Sequence, residues 1–392
     1  MPTSRGWALL GAGSALGILW WVFGDPELLL VGAFLVLAAL LAIVYVRYHR
    51  PDLDISRRIG SPAVHDGEQT MVTLVVDNKA NRRLPHMRMS DSVEKLGVAG
   101  FEVASLGARD RATASYLVTC SPRGVYRVGP ARGQVIDPLA LAELPVSSTS
   151  VDRIVVYPAV ERLSGFPRVR GRDPVVHAAR PEHNQRGGED FYTLREYNRG
   201  DDLRRIHWPS SAKTDELMIR QMETPWQSRA LILFDVRASV YESPAAFETA
   251  VSGAASIVNH LIRSGFDADL WAGDANTVDA SRYTTIMEKL ALIQTDPAID
   301  LQAVATRIRH SGGGGALILV TGVPDRTMLS AQRLLSHDYG NTILMSVSST
   351  TPQTVIGFHR AGASTVVVDP GAKWAPTWLK TMRTTWADAS AS

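Results

Sequence analysis

Cysteine is nearly missing: Cys120 is the single one in 392 residues. No disulfide can therefore form within the chain, which fits a reducing compartment. Cys120 ends the apolar run SYLVTC and is expected as a packed core residue rather than a nucleophile. Excess charge is missing too. Lys and Arg number 41 against 39 Asp and Glu, and a formal net charge of +2 gives nucleic-acid binding no bulk electrostatic support. His183, His207, His260, His310, His337 and His359 form neither His-Glu-x-x-His nor a ligand cluster. Ser210-Ser211-Ala212-Lys213 has the Ser-x-x-Lys spacing of penicillin-binding enzymes, but the companion Lys-Thr-Gly is absent. Gly312–Gly315 precedes an apolar strand, whereas a phosphate cradle follows a strand and opens a helix.

Long apolar runs, by contrast, are present. Trp7–Phe23 and Leu28–Val46 extend for about 17 and 19 residues, around the length a helix needs to cross a bilayer. Gly24-Asp25-Pro26-Glu27 between them has room only for a hairpin turn. Arg5 precedes the first run; Arg47, Arg50, Arg57 and Arg58 follow the second; the turn has no Lys or Arg. The positive-inside rule then puts both ends in the cytoplasm. No small-x-small site near Gly24 marks a cleaved signal. Residues 1–50 are expected as a two-helix transmembrane hairpin.

Short β-like runs follow over residues 51–160: Thr70–Val76, Phe101–Leu106, Thr113–Thr119, Val125–Val128 and Val151–Tyr157. Turn formers punctuate them, and the spacing predicts a small antiparallel β-sandwich. Residues 161–228 hold a connecting arm, Glu161–Arg186, and then a dense charged segment. From 229 to 392 apolar strands alternate with helices, which predicts an α/β, doubly wound sheet. Ala230–Val236 and Ala316–Thr321 are continuous apolar runs, as strands covered on both faces require. The helix at about Pro244–Ser264 carries Phe247, Val251, Ala254, Ala255, Val258, Leu261 and Ile262 on one face.

The dense segment is Gly187–Thr224, where opposed charges are threaded with Phe191, Tyr192, Tyr197 and Trp208. A disordered linker carries few aromatics, so this one is expected to be packed. Gly200-Asp201-Asp202 predicts a turn into a short helix closed by Pro209, and Leu217-Met218-Ile219 a strand. Glu189, Arg195, Tyr197, Gly200, Asp201, Asp202, Arg204, Trp208, Ser211 and Lys213 are its latch or partner-binding residues.

The pattern Gly-Glu-Asp-Phe…Leu-Arg-Glu-Tyr…Gly-Asp-Asp…Arg-Arg-Ile-His-Trp…Ser-Ala-Lys resembles the signature of bacterial proteins grouped as domain of unknown function number 58. Pro122–Pro130 and Asp137-Pro138-Leu139-Ala140-Leu141 are similar to that family too, with Ala140 where the family often has Gly. The resemblance implies a von Willebrand factor A-like domain behind a membrane hairpin and a β-rich module. It also implies a MoxR-type AAA+ ATPase as partner, in assembly or maturation of envelope proteins.

Ligands of open α/β sheets bind beyond the carboxyl ends of strands where strand order reverses. Those ends carry Asp235-Val236-Arg237-Ala238-Ser239 and Thr321-Gly322-Val323-Pro324-Asp325. A metal-binding von Willebrand A domain has Asp-x-Ser-x-Ser and a Thr-Asp-Gly-like turn there. Here Asp235, Ser239 and Asp325 remain as a degenerate Mg²⁺ set, while Arg237 and Gly322 replace a Ser and an Asp. Arg cannot coordinate a cation and is expected to pair with Asp235. The sequence thus points to a non-enzymatic adaptor without a cofactor. A metal-dependent hydrolase using the Asp235/Asp325 crevice is the alternative.

Overall fold

The computed structural model describes residues 1–48, 52–166, 193–196, 208, 211, 217–221, 228–273, 275–276, 283–310, 314–350 and 353–390. The chain divides into two units, Met1–Ala159 with Met287–Ile293, and Val160–Ile286 with Gln294–Ser392.

The first unit opens with helices α1 (Ser4–Phe23) and α2 (Pro26–Tyr48), each long and apolar enough to cross a bilayer. The Thr3 side chain caps α1 by accepting from the Gly6 N–H at 3.1 Å, and Gly24 ends it in the left-handed region. Pro26 starts α2, where its missing N–H costs nothing.

Two sheets follow. One pairs β1 (Leu53–Ile59), β3 (Gln69–Asn78) and β6 (Arg111–Thr119), all antiparallel. The other runs β2 (Ala63–His65), β10 (Asp152–Tyr157), β7 (Gly124–Val128), β4 (Met87–Val93), β8 (Arg132–Ile136), β9 (Glu143–Ser147), with β5 (Gly97–Val103) also on β4. The pairing is antiparallel except between β2 and β10, which lie parallel. Leu74, Val76, Met87, Met89 and Val135 make one half of the core. Val72, Val118, Cys120, Tyr126, Val128, Ile154 and Val156 make the other. Cys120 is fully buried, and burial pushes its thiol up.

The sandwich also encloses a charge. The Arg57 side chain, 1% exposed, donates to Asp91 at 2.7 and 2.9 Å and to Asp152 at 2.7 Å; the Asp91 side chain is 0% exposed and accepts from the Tyr116 hydroxyl at 2.7 Å. Burial alone would lower the Arg57 pKa, but the two aspartates raise it. Arg57, counted above among cations beside the membrane, is therefore drawn into the fold. In an alternating strand the third and fifth residues face the same way, and the inward face of β1 carries Ile55 and then Arg57.

In the second unit β13 (Ser228–Phe234) starts the sheet in its middle. The order is β15 (Ala275–Asn276), β14 (Phe266–Ala272), β13, β16 (Ala316–Thr321), β17 (Asn341–Val347), β18 (Ala363–Val368). All pairs are parallel except the short edge β15. Every residue of β16 is buried. Helices α3 (Pro244–Arg263), α5 (Leu301–His310), α6 (Arg326–Leu335), α7 (Thr354–Arg360) and α8 (Trp374–Ser390) connect and close it, while α4 (Tyr283–Leu292) belongs to the first unit from Met287 on. Strand order reverses between β13 and β16, with Phe234 opposite Val320 at the carboxyl end.

The start of the predicted connecting arm is built in. The Glu161 carboxylate accepts from the first N–H groups of α8, Trp374 and Ala375, at 3.0 Å each. Leu163 is buried, and Phe166 lies among His260, Phe266 and Trp378.

Candidate functional site

Topology brings the ends of β13 and β16 side by side, and the Asp235 N–H donates to the Val320 carbonyl at 2.8 Å. The chain turns at once after β13, in a single 3-10 turn at Ala238–Val240. After β16 it crosses the same turn: Val323 N–H donates to Val240 O at 2.7 Å. A Cβ on Gly322 would stand 2.1 Å from that carbonyl, so no side chain fits at 322. The missing Asp is thus a consequence of how closely the two loops approach.

Arg237 occupies the space between the two carboxylates. Its Nε and Nη2 donate to Asp235 at 3.0 and 2.8 Å, and Nη1 and Nη2 donate to Asp325 at 2.8 and 3.1 Å. Asp235, whose side chain is 0% exposed, also accepts from the Thr321 hydroxyl at 2.9 Å and from the Arg237 N–H at 3.1 Å. Asp325 caps α6 through the Met328 N–H at 2.8 Å. Tyr241 donates its hydroxyl to the Asp235 carbonyl, and burial raises its pKa well above the ordinary value. Burial would raise Asp325, but Arg237 and the Met328 N–H outweigh it and hold the carboxyl low. Burial would likewise lower Arg237, and the two aspartates raise it instead.

The structure brings Asp235 and Asp325 together and leaves Ser239 with an exposed side chain. With guanidinium nitrogens within 3.1 Å of both carboxylates, this set does not fit a divalent cation, which needs those oxygens itself. Thr321, named above within its strand-end run but given no role, and Tyr241, which sequence reasoning missed, complete the hydrogen bonding. A Thr closing an otherwise apolar strand was the available signal for the first.

Within the signature segment, β11 (Thr193–Glu196) pairs antiparallel with β12 (Met218–Gln221), Arg195 opposite Ile219. The predicted strand at Leu217–Ile219 overlaps β12. Trp208 is 66% exposed, and the buried Ser211 accepts from the Met218 N–H at 2.8 Å. Glu189, Tyr197, Gly200, Asp201, Asp202, Arg204 and Lys213, with the expected turn and short helix, lie outside the described residues.

The uncharacterized protein YeaD of Bacillus subtilis (strain 168) is 28% identical over 244 residues. That similarity covers 60% of this chain and 59% of the relative, so the chain matches less than two thirds of it. Among solved structures, a CARDB domain from Pyrococcus furiosus shares 18% identity at a TM-score of 0.21, covering 27% of this chain and 93% of its own. The C-terminal domain of wzt shares 12% at 0.24, covering 30% and 85%. Scores this low carry no argument about fold or function. The family described as "Protein of unknown function DUF58" matches residues 193–278, from β11 past β15, and on that match the chain carries the DUF58 segment its signature led one to expect.

Proposed function

We propose that this chain is a membrane-anchored cytoplasmic adaptor or scaffold, not an enzyme. In this reading it acts with a MoxR-type AAA+ ATPase in the assembly or maturation of envelope proteins. The observation that carries it is Arg237. At the switch point, where a von Willebrand A-like domain would hold a metal, a resident guanidinium already satisfies Asp235 and Asp325. Such a site holds a loop in place and has no free carboxylate for hydrolysis. That weighs against the metal-dependent hydrolase reading. The strand order, running outward to β15 and back to β18, supports a doubly wound, von Willebrand A-like domain. The exposed Trp208 inside the signature segment supports a partner surface, because Trp is enriched among residues that anchor interfaces. The ATPase itself comes from the family resemblance.

The test is capture from native membranes with the intact chain as bait, with and without ATP. An AAA+ ATPase retained in an ATP-dependent manner supports the proposal, and its absence under both conditions overturns it. Reporter fusions at Ser392 and at the Asp25 turn test the anchor: they should report opposite sides, with Ser392 inside. Tight Mg²⁺ binding to the wild-type chain by calorimetry would restore the hydrolase reading.

A further inference from the structure

We infer that the Asp137–Ala142 turn of the β-sandwich rests in the headgroup layer of the bilayer that the hairpin crosses, with Leu139 as its apolar tip. The inference depends on the reading of α1 and α2 as membrane-crossing. It assigns a lipid surface to a part of the sandwich that begins 89 residues beyond the second helix.

The turn is joined to the start of the first helix. Thr3 N–H donates to Leu141 O at 2.9 Å, the Thr3 hydroxyl to Ala140 O at 2.7 Å, and Glu143 N–H to Met1 O at 2.8 Å. Pro2 bridges Ala142 in antiparallel fashion, so the N-terminus continues the pairing beside β9. The approach is close enough that a Cβ on Gly6 would stand 2.1 Å from the Leu141 carbonyl oxygen. Leu141 and Ala142 bury themselves against Ala42 and Val46 of α2, with Leu9 and Ala38 packed around them.

Those partners fix the depth. At about 1.5 Å rise per residue, Ala42 lies about 7.5 Å of helix before Arg47, the first charge after the apolar run, and Ala38 about 13.5 Å before it. A turn covering that stretch of α2 cannot stand clear of the membrane surface. Its conformation is held as well: the buried Asp137 carboxylate accepts from the N–H groups of Leu139 at 2.8 Å, Leu141 at 2.6 Å and Ala142. Leu139 therefore stays turned outward, 66% exposed, next to Pro138, which is also exposed. The helix ends beside it carry interface chemistry. Trp7 and Tyr48 are 63% and 68% exposed, Arg5 and Arg47 are exposed, and Arg82 lies over the Tyr48 ring at 5.4 Å. Aromatic, basic and apolar groups gathered at helix ends match a lipid headgroup layer.

The experiment places an environment-sensitive fluorophore on Leu139→Cys in the full chain, reconstituted in nanodiscs with and without spin-labelled lipid. Cys120 is fully buried and takes no label in the folded chain, which unlabelled wild type confirms. Leu117→Cys, on an exposed position of β6, reports the sandwich away from the turn; Phe34→Cys reports the hairpin. The expected result is strong quenching at 34 by lipid labelled on the acyl chain and at least twofold quenching at 139 by lipid labelled near the headgroup, with 117 unchanged. Quenching at 34 with 139 behaving like 117 overturns the inference and leaves the anchor standing. No quenching at 34 overturns the membrane reading beneath it.

Discussion

Replacing Arg237 with alanine removes the cation that neutralises Asp235 inside the end of the sheet. Asp235 would keep the Thr321 hydroxyl and the backbone N–H at 237, but it would lose both guanidinium bonds with its side chain 0% exposed. Stripping one partner from a buried pair costs roughly 3–5 kcal/mol. The bond to Asp325 adds little, because that carboxylate is 38% exposed and such pairs are worth about 0–1 kcal/mol. A loss of about 3–5 kcal/mol follows, and at about 2–4 °C per kcal/mol the α/β unit should melt about 6–20 °C lower. Two units need not unfold together, so amide exchange at Leu231–Asp235 and Leu317–Thr321 in the full chain is the readout specific to this site. Arg237→Met combined with Asp235→Asn should recover more than half of the loss, since the charge left without a partner is then the 38% exposed Asp325 and not the buried Asp235. The pH dependence has a definite sign. Asp325 titrates below its unfolded value, so its contribution is complete above about pH 4 and disappears as pH falls through the lower folded pKa. Arg237→Ala should flatten that acid limb. Unchanged exchange in Arg237→Ala, with melting within about 2 °C of wild type, would refute the clamp.

Arg57→Ala should destabilise the sandwich by roughly 3–5 kcal/mol through the stranded Asp91, and Arg57→Lys should recover only part, because one ammonium cannot repeat the forked contact; thermal melts of both variants check this. Ala140 sits at φ +56°, so Ala140→Gly should raise stability by about 0.5–1 kcal/mol, and a lower melting temperature would count against the turn geometry. His260 donates Nε2–H toward the Gly165 carbonyl at 3.1 Å, and burial lowers its pKa. Its stabilising effect is therefore full above about pH 6.5 and lost as pH falls through the lower folded value, so amide protection around Phe166 should fall between neutral pH and pH 5 and become flat in His260→Gln.

The second unit was legible because its strands are covered on both faces. A run such as Ala316–Thr321 leaves no ambiguity of period when all six residues are buried. The glycine that the resemblance would put at Ala140 also gains a reason, since that position is left-handed. The first unit was harder. Strand β4, MRMSDSV, buries Met87, Met89, Asp91 and Val93, and the aspartate breaks the apolar alternation at the position that defines the core. Pro145 in β9 and Gly133 in β8 blur two more strands, both toward the sheet's edge. Helix α7 has seven residues, too few for a period to show.

The two arginines make the limit of sequence reading concrete. Arg237 follows Asp235 by two residues, so half of its pairing could be read locally. The other half, to Asp325, is 88 residues away, and only the rule about strand ends in reversed sheets brought that residue into view. Arg57 had no such rule. Asp91 lies 34 residues on and Asp152 95 residues on, in strands of the facing sheet; the alternation in LDISRRI puts Arg57 on the face of Ile55, but nothing in the run says which carboxylates it meets there. Both arginines end up in the same chemistry, a guanidinium bridging two carboxylates. What decides whether a cation faces a membrane, a metal's place or a protein core is therefore the pairing of distant strands, and a sequence pattern reveals it only where topology has a rule for where strand ends meet.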